Sequence, residues 1–377
     1  MFGSDRAAGP AGKNPKVTEA DVLKALGTVQ EPELGRDLVA LKMIENIRID
    51  GGQVAFTVVL TTPACPLRAR IERECRAAVQ GIPGVTQVDI KLDSRVPTGR
   101  ARAGKEAIPG VRNIIAVASG KGGVGKTTVT VNLAVALAET GAKVGVLDAD
   151  ITGPNIPLML GVDGQPRARG EKIEPLQAHG LKVISIAFFV PNGKPVIWRG
   201  PMVAGAIQQF LRDVAWDELD YLVVDLPPGT GDASLTLAQS IPLSGVLIVS
   251  TPQDVALLDA SKSLAMFEKL EAPILGIVEN MSYFLCPHCG ERTEIFGFGG
   301  AEKAAAELET PFLGRIPLDP EIRIGGDRGM PILKANPDSP QSQAFRDVAS
   351  AVAARISTLA LGPEGKRQTW LPLTVNS

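Results

Sequence analysis

The sequence predicts an α/β protein: a doubly wound, mostly parallel sheet, preceded by a small α+β domain. Three observations carry that prediction. Seven Val- and Ile-rich runs, at residues 114–118, 143–147, 183–188, 221–224, 246–249, 274–278 and 312–316, are separated by helix-length segments. Unbroken apolar runs of this kind belong to strands buried on both faces, whereas half-solvated strands alternate. Next, the stretch Gly120-Lys121-Gly122-Gly123-Val124-Gly125-Lys126-Thr127-Thr128 stands between the first of those runs and the apolar segment 129–137. The order is therefore strand, glycine turn, helix. Finally, the residues before 96 have another texture, with two β-rich runs joined by Asp50-Gly51-Gly52, a hairpin signal.

Taken in order, residues 1–15 are Gly, Ala, Pro and charge, too poor in apolar surface to offset the entropy of ordering, and are expected to form a disordered tail. Thr18-Glu19-Ala20-Asp21 reads as a capping box before a helix bearing Val22, Leu23 and Leu26. Strands are expected at 43–49 and 54–61. Thr62-Pro63-Ala64-Cys65-Pro66 then leads into a helix, with Pro66 as its first residue and Leu67, Ile71, Cys75 and Val79 on one apolar face. A third strand at 85–92 completes a domain over 16–95. Residues 96–110, with Pro, Gly and alternating basic residues, read as a linker, 111–362 as the main domain and 363–377 as an irregular tail. Cys65, beside a helix start and near Arg68 and Arg70, is expected to favour its thiolate and is a candidate transient ligand.

Bulk properties exclude several function classes. The chain has 377 residues, enough for two domains, and a formal net charge of -2, which gives no global basic field for nucleic acid or anionic membrane. Aromatic residues make up 4%, too few for base-stacking platforms. No apolar run approaches the roughly 20 residues of a spanning helix. The expectation is a cytoplasmic protein with neither nucleic-acid nor membrane partners. Four cysteines are too few for a disulfide framework at this size. Two of them, in Cys286-Pro287-His288-Cys289, suggest reduced thiols with a metal or redox role.

The glycine stretch has the chemistry of a phosphate-binding loop. Glycines let successive backbone N–H groups converge on phosphate oxygens, and the following helix points its positive end at the same anion. Gly120, Gly122 and Gly125 also satisfy the dinucleotide fingerprint. Lys126-Thr127-Thr128 favours a triphosphate, because a lysine on the β- and γ-phosphates and a threonine hydroxyl on Mg²⁺ have no task at a pyrophosphate. Asp225, closing the apolar run Leu222-Val223-Val224, would hold a water on Mg²⁺, and Gly229 beyond it would sense the γ-phosphate.

Lys121 is foreign to an ordinary loop of this type. Gly-Lys-Gly-Gly-x-Gly-Lys-Thr-Thr resembles the deviant loop of the ParA, MinD and nitrogenase iron protein group. The resemblance implies a P-loop NTPase in which Lys121 reaches the partner's nucleotide across a dimer, Asp150 orients the attacking water, Asp148 sits near Mg²⁺ and Asn280 reads adenine. Read only as residues, the two aspartates would serve as helix caps or structural acids, and the asparagine as a turn former.

Cys286 and Cys289 supply two thiolates, where a tetrahedral metal site or a cubane cluster takes four. The same pair from each subunit of a two-fold homodimer makes up the count. Together with Leu147-Asp148-Ala149-Asp150, Asp225-Leu226-Pro227-Pro228-Gly229-Thr230-Gly231-Asp232 and Glu279-Asn280-Met281, the pair resembles the Mrp/ApbC family over residues 111–360. That resemblance implies an ATP-hydrolysing carrier of a [4Fe-4S] cluster, held at the homodimer interface and passed to apo iron–sulfur proteins, with a cluster assembly scaffold as a further partner. The first domain, through Glu31-Pro32-Glu33-Leu34 and Thr62-Pro63-Ala64-Cys65-Pro66, is similar to the small domain of iron–sulfur assembly factors. Two rivals remain: a positioning ATPase like MinD or ParA, and an electron-transfer ATPase like the nitrogenase iron protein. The first leaves the cysteine pair without a task, and residues 362–377, with only Lys366 and Arg367 as cations, lack its amphipathic basic helix. The hallmark cysteines of the second lie in different loops.

Overall fold

The computed structural model describes residues 16–99, 107–151, 153–189 and 200–362. The expected tails, 1–15 and 363–377, and the middle of the expected linker lie outside the described residues. The chain divides into two units, Met1–Thr61 with Cys65–Arg95, and Thr62–Ala64 with Val96–Ser377.

In the first unit, α1 (Glu19–Leu26) starts at a reciprocal capping box between Thr18 and Asp21. Strands β1 (Ile44–Asp50) and β2 (Gln53–Leu60) pair antiparallel around a turn in which Gly51 has φ +57°, and β3 (Gln87–Ser94) joins β2 in parallel. Helix α2 (Arg68–Gln80) buries Ile71, Cys75 and Val79. It begins at Arg68, with Leu67 as N-cap, so Pro66 is not its first residue as the sequence suggested.

The second unit is built on eight strands. They are β4 (Val111–Ser119), β5 (Val144–Asp148), β6 (Leu176–Ala178), β7 (Leu181–Ser185), β8 (Leu219–Asp225), β9 (Gly245–Ser250), β10 (Ile274–Glu279) and, after a short hairpin, β13 (Phe312–Arg315). Their order across the sheet is β6-β7-β5-β8-β4-β9-β10-β13, and all neighbours are parallel except β6 and β7. Alternate residues of the central strands serve different faces. Ile115 and Val117 pack in one core with α3 (Lys126–Glu139) and α8 (Pro340–Leu361). Ile114, Ala116 and Ala118 pack in the other with α4 (Gly200–Asp213), α6 (Asp254–Lys269) and α7 (Gly300–Glu307). This two-sided burial is why the strands read as unbroken apolar runs. Helix α5 (Asp232–Ser240) follows β8.

Two local differences from the sequence reading have physical causes. The run expected at 183–188 forms a strand only as far as Ser185 and then coils into a 3₁₀ turn, Ile186–Phe189. The edge strand β6 went unread because Leu176-Gln177-Ala178 is short and interrupted by a polar residue; it turns back through His179 and Gly180, both at positive φ.

Candidate functional site

Five adjacent parallel strands end on one side of the sheet, and their last residues gather the polar side chains there. Ser119 closes β4, Asp148 closes β5, Asp225 closes β8, Ser250 closes β9 and Glu279 closes β10, with Asn280 directly after it. Polar residues at the carboxyl ends of strands are where open α/β sheets bind ligands.

Between Ser119 and α3 the loop turns through Gly123 (φ +83°) and Gly125 (φ +80°), left-handed positions that glycine takes at least cost. A Cβ on Gly125 would stand 2.3 Å from Asn280 Nδ2. Gly120 has a different reason to be glycine: a Cβ there would lie 2.2 Å from the carbonyl carbon of Asp259 in α6. Phosphate approach therefore does not account for every glycine of the loop. Helix packing sets the first.

Lys126, the first residue of α3, is 6% exposed. Its Nζ lies 2.7 Å from Asp225 Oδ2 and 3.3 Å from Asp150 Oδ2. Thr127 Oγ1 donates to the same Asp225 oxygen at 2.7 Å, and Thr130 Oγ1 donates to Oδ1 at 2.7 Å. The fully buried Asp225 thus has one cation and two hydroxyls to offset its desolvation. Thr130 escaped the sequence reading; its position one helical turn beyond Lys126, facing β8, was the available signal. Asp148 is paired in register with Asp225. Burial, and then the Asp225 carboxylate, push its carboxyl up to about 8. Its oxygens accept from Ser185 Oγ at 2.9 Å and from the amides of Asp150 and Ile156 at 3.3 Å each, so it shapes the loop that carries Asp150.

A cavity of about 600 Å³ opens over this cluster. Lys121, Gly122, Gly123, Thr127, Thr128 and Asp150 line its polar side. Leu158, Met159, Pro317, Leu318 and Ile322 form an apolar wall that the sequence reading did not assign, because it comes from two short helices far apart in the chain, Ile156–Met159 and Pro320–Asp327, and the residues just before the second, none long enough to show a period. Asn280, also at the rim, is 4% exposed, and its Nδ2 donates to the loop carbonyl of Val124 at 2.8 Å.

The cysteine pair lies in the hairpin of β11 (Phe284–Leu285) and β12 (Arg292–Thr293). Cys286 N donates to Glu291 O and Gly290 N to Cys286 O, both at 2.9 Å, and Gly290 takes φ +73°. The backbone N–H groups of Cys289 and then His288, followed by the Cys289 side chain, hold the Cys286 thiol below the usual thiol range. Cys286 is half-buried and Cys289 exposed. Among the described residues no group of three or more His, Cys, Asp or Glu is disposed to hold a metal ion, so this turn offers two ligands.

Cys65 corrects the sequence reading. Burial pushes its thiol up to about 11, the Leu67 amide and Arg68 act against that, and the carboxylates of Glu33 and Glu31 add to it. The expectation of a favoured thiolate counted the arginines and overlooked burial first and the two glutamates second.

A lysine-bearing glycine loop before a helix, an acid closing the neighbouring strand and a mostly parallel sheet define a P-loop NTPase. The model of the ParA family, described as a NUBPL iron-transfer P-loop NTPase, matches residues 110–353, and that of an iron–sulfur cluster assembly protein matches residues 19–90. The chain belongs to this iron-transfer P-loop NTPase family. It is 51% identical over 351 residues to the iron–sulfur cluster carrier protein of Synechocystis, covering 92% of this chain and 99% of that one. The carrier protein of Escherichia coli is 43% identical over 346 residues, with 91% and 94% covered. Among solved structures, a nucleotide-binding protein from Archaeoglobus fulgidus in complex with ADP, with cobalt found, is similar at TM-score 0.56 and 44% identity, over 63% of this chain and 93% of that one. The cell division ATPase MinD of Pyrococcus furiosus is similar at TM-score 0.50 and 30% identity, over 64% and 98%. No helix among the described residues is long and apolar enough to cross a membrane.

Proposed function

We propose that the chain is an ATP-hydrolysing carrier that holds a [4Fe-4S] cluster between two copies of itself and passes it to apo-proteins in the cytoplasm. The observation that carries this reading is the Cys286–Cys289 turn: two thiols, one held toward its thiolate by backbone amides, in a hairpin that begins a few residues after Asn280. Two sulfurs are half of a cubane's set, and a two-fold pair of hairpins supplies the other half. The names of the relatives, carriers of iron–sulfur clusters, support the same cargo.

In this reading Lys126 and the loop amides hold the phosphates, Asp150 orients water, Lys121 acts on the partner's nucleotide, and Asn280 faces the base. The donor set fits Mg²⁺: Thr127 Oγ1 and Asp225 Oδ2, hard oxygens 2.7 Å apart, already share the Lys126 ammonium as a positive neighbour. Bound there, the ion would neutralise charge developing between the β- and γ-phosphates. Asp148 stays behind this set as the support of the Asp150 loop. ATP binding draws the subunits together and alters the cysteine site, and hydrolysis releases it.

Anaerobic reconstitution of wild type and Cys286→Ala, followed by iron, sulfide and zinc counts per dimer, tests the proposal. About four irons per dimer are expected in wild type and close to none in the variant. Equal iron in both proteins would overturn the carrier reading.

A further inference from the structure

Adjacent residues fasten the nucleotide cavity and the cysteine hairpin. Asn280 holds the phosphate loop through Val124 O. Glu279, fully buried, accepts from the amides of Gly299 at 3.1 Å and Ala301 at 2.7 Å, where the cysteine loop runs into α7, and from the Ser282 hydroxyl. Any displacement of Asn280 is therefore delivered to Glu279 through one peptide unit, which is planar and stiff.

From Glu279 the contacts continue to the hairpin through Arg315, the last residue of β13. Its Nε is buried without a hydrogen bond, 3.8 Å from Glu279 Oε1, while its guanidinium also pairs with Glu302. The guanidinium carbon stands 4.8 Å from the Phe312 ring centroid and 4.7 Å from that of Phe298. Phe298 in turn meets Arg292 at 3.6 Å, and Arg292 also covers Tyr283 at 4.6 Å. Arg292 is the cross-strand partner of Leu285, the residue before Cys286. Cations and rings thus alternate without a break from the sheet edge to the strand that presents the first cysteine. The gap at Arg315 Nε matters most. A buried donor just beyond hydrogen-bond range of a carboxylate needs a shift of less than about 1 Å to close the bond, by joining or displacing the Ser282 and Gly299 donors on the same oxygen, and a switch of that kind is what coupling between sites requires.

We infer that Glu279 and Arg315 are positioning residues that transmit nucleotide occupancy at the Val124–Asn280 contact to the orientation of the Cys286–Cys289 turn. The inference rests on the carrier reading for its purpose, but not for its test, which needs no cluster. The full chain, reduced and metal-free, is alkylated with iodoacetamide with and without ADP and Mg²⁺, and modification of Cys286 and Cys289 is followed peptide by peptide. In wild type, nucleotide changes the labelling rate by at least about five-fold, the low end of ordinary coupling. In Arg315→Met, which keeps an unbranched apolar side chain, the change falls below about two-fold while the Kd for ADP stays within about two-fold of wild type. Phe298→Leu, at a side chain 39% exposed and therefore tolerant of substitution, breaks the stack at its middle and gives the same loss should Arg315→Met fold poorly. A purely structural role would lower stability without erasing the nucleotide response. No response in wild type, or a full response in Phe298→Leu, overturns the inference. Neither result touches the iron count, and an iron-free protein that still shows the response would fail as a carrier while keeping this path.

Discussion

Cys65 and Cys286 share a local feature, each coming after a strand and directly before a proline, yet their surroundings drive them apart. Cys286 lies in a tight turn whose amide N–H groups point at its sulfur, and its thiol is lowered. Cys65 is half-buried near Glu31 and Glu33, and its thiol is raised to about 11. A Cys-Pro pair is therefore no guide to reactivity. The donors and charges around the sulfur decide, and they decide oppositely in the two units.

The contrast breaks most simply by chemistry. Iodoacetamide labelling of the reduced, metal-free chain at pH 8 should modify Cys286 at least about ten-fold faster than Cys65; the larger thiolate fraction outweighs the lower intrinsic nucleophilicity of a more acidic thiol. Equal rates would mean that the Cys65 environment relaxes in solution. The same assay sharpens the cause. Burial is the larger reason for the raised Cys65 thiol and the glutamates the smaller. Glu33→Gln should therefore speed Cys65 labelling only by about two- to three-fold, and leave Cys286 as it was.

How much of this was legible beforehand differs by interaction range. The seven apolar runs became seven strands of the sheet because burial on both faces writes itself into consecutive residues. Lys126, Thr127 and Asp225 were legible as nucleotide-site candidates because a glycine loop and a strand-end acid are local patterns, and the fold brings Lys126 Nζ and Thr127 Oγ1 each to 2.7 Å from Asp225 Oδ2. Thr130, Ser185 and the wall of Leu158 and Ile322 depend on which strand lies beside which, and no local pattern carries that. Gly120 looked like part of the phosphate motif but answers to Asp259, far along the chain. The Cys65 expectation pointed the wrong way chiefly because burial is a tertiary property, and in lesser part because Glu31 and Glu33 were quoted as a family motif without being weighed as charges.

Buried carboxylates repeat the contrast between the cysteines. Asp225 has Lys126, Thr127 and Thr130 around it, whereas Glu33 Oε1 is buried without a hydrogen-bond partner and faces the field of Glu31. Burial first, and then Glu31, raise the Glu33 carboxyl from 4.5 to about 7. Between those two values the folded state holds a proton that the unfolded state has lost, so this group's contribution to stability declines as pH rises from below 4.5 to above 7, and the penalty is complete above 7. Glu33→Gln, neutral at every pH, removes the penalty. The variant should match wild type near pH 4.5 and exceed it above pH 7 by on the order of 1 kcal/mol, the full shift being discounted for partial solvation. Hydrogen exchange of the α2 amides in the full chain, as protection factors at pH 5 and pH 8, measures this without requiring the two units to unfold together. A difference between variant and wild type that is the same at both pH values would show that Glu33 finds a partner in solution, and the contrast with Asp225 would fall.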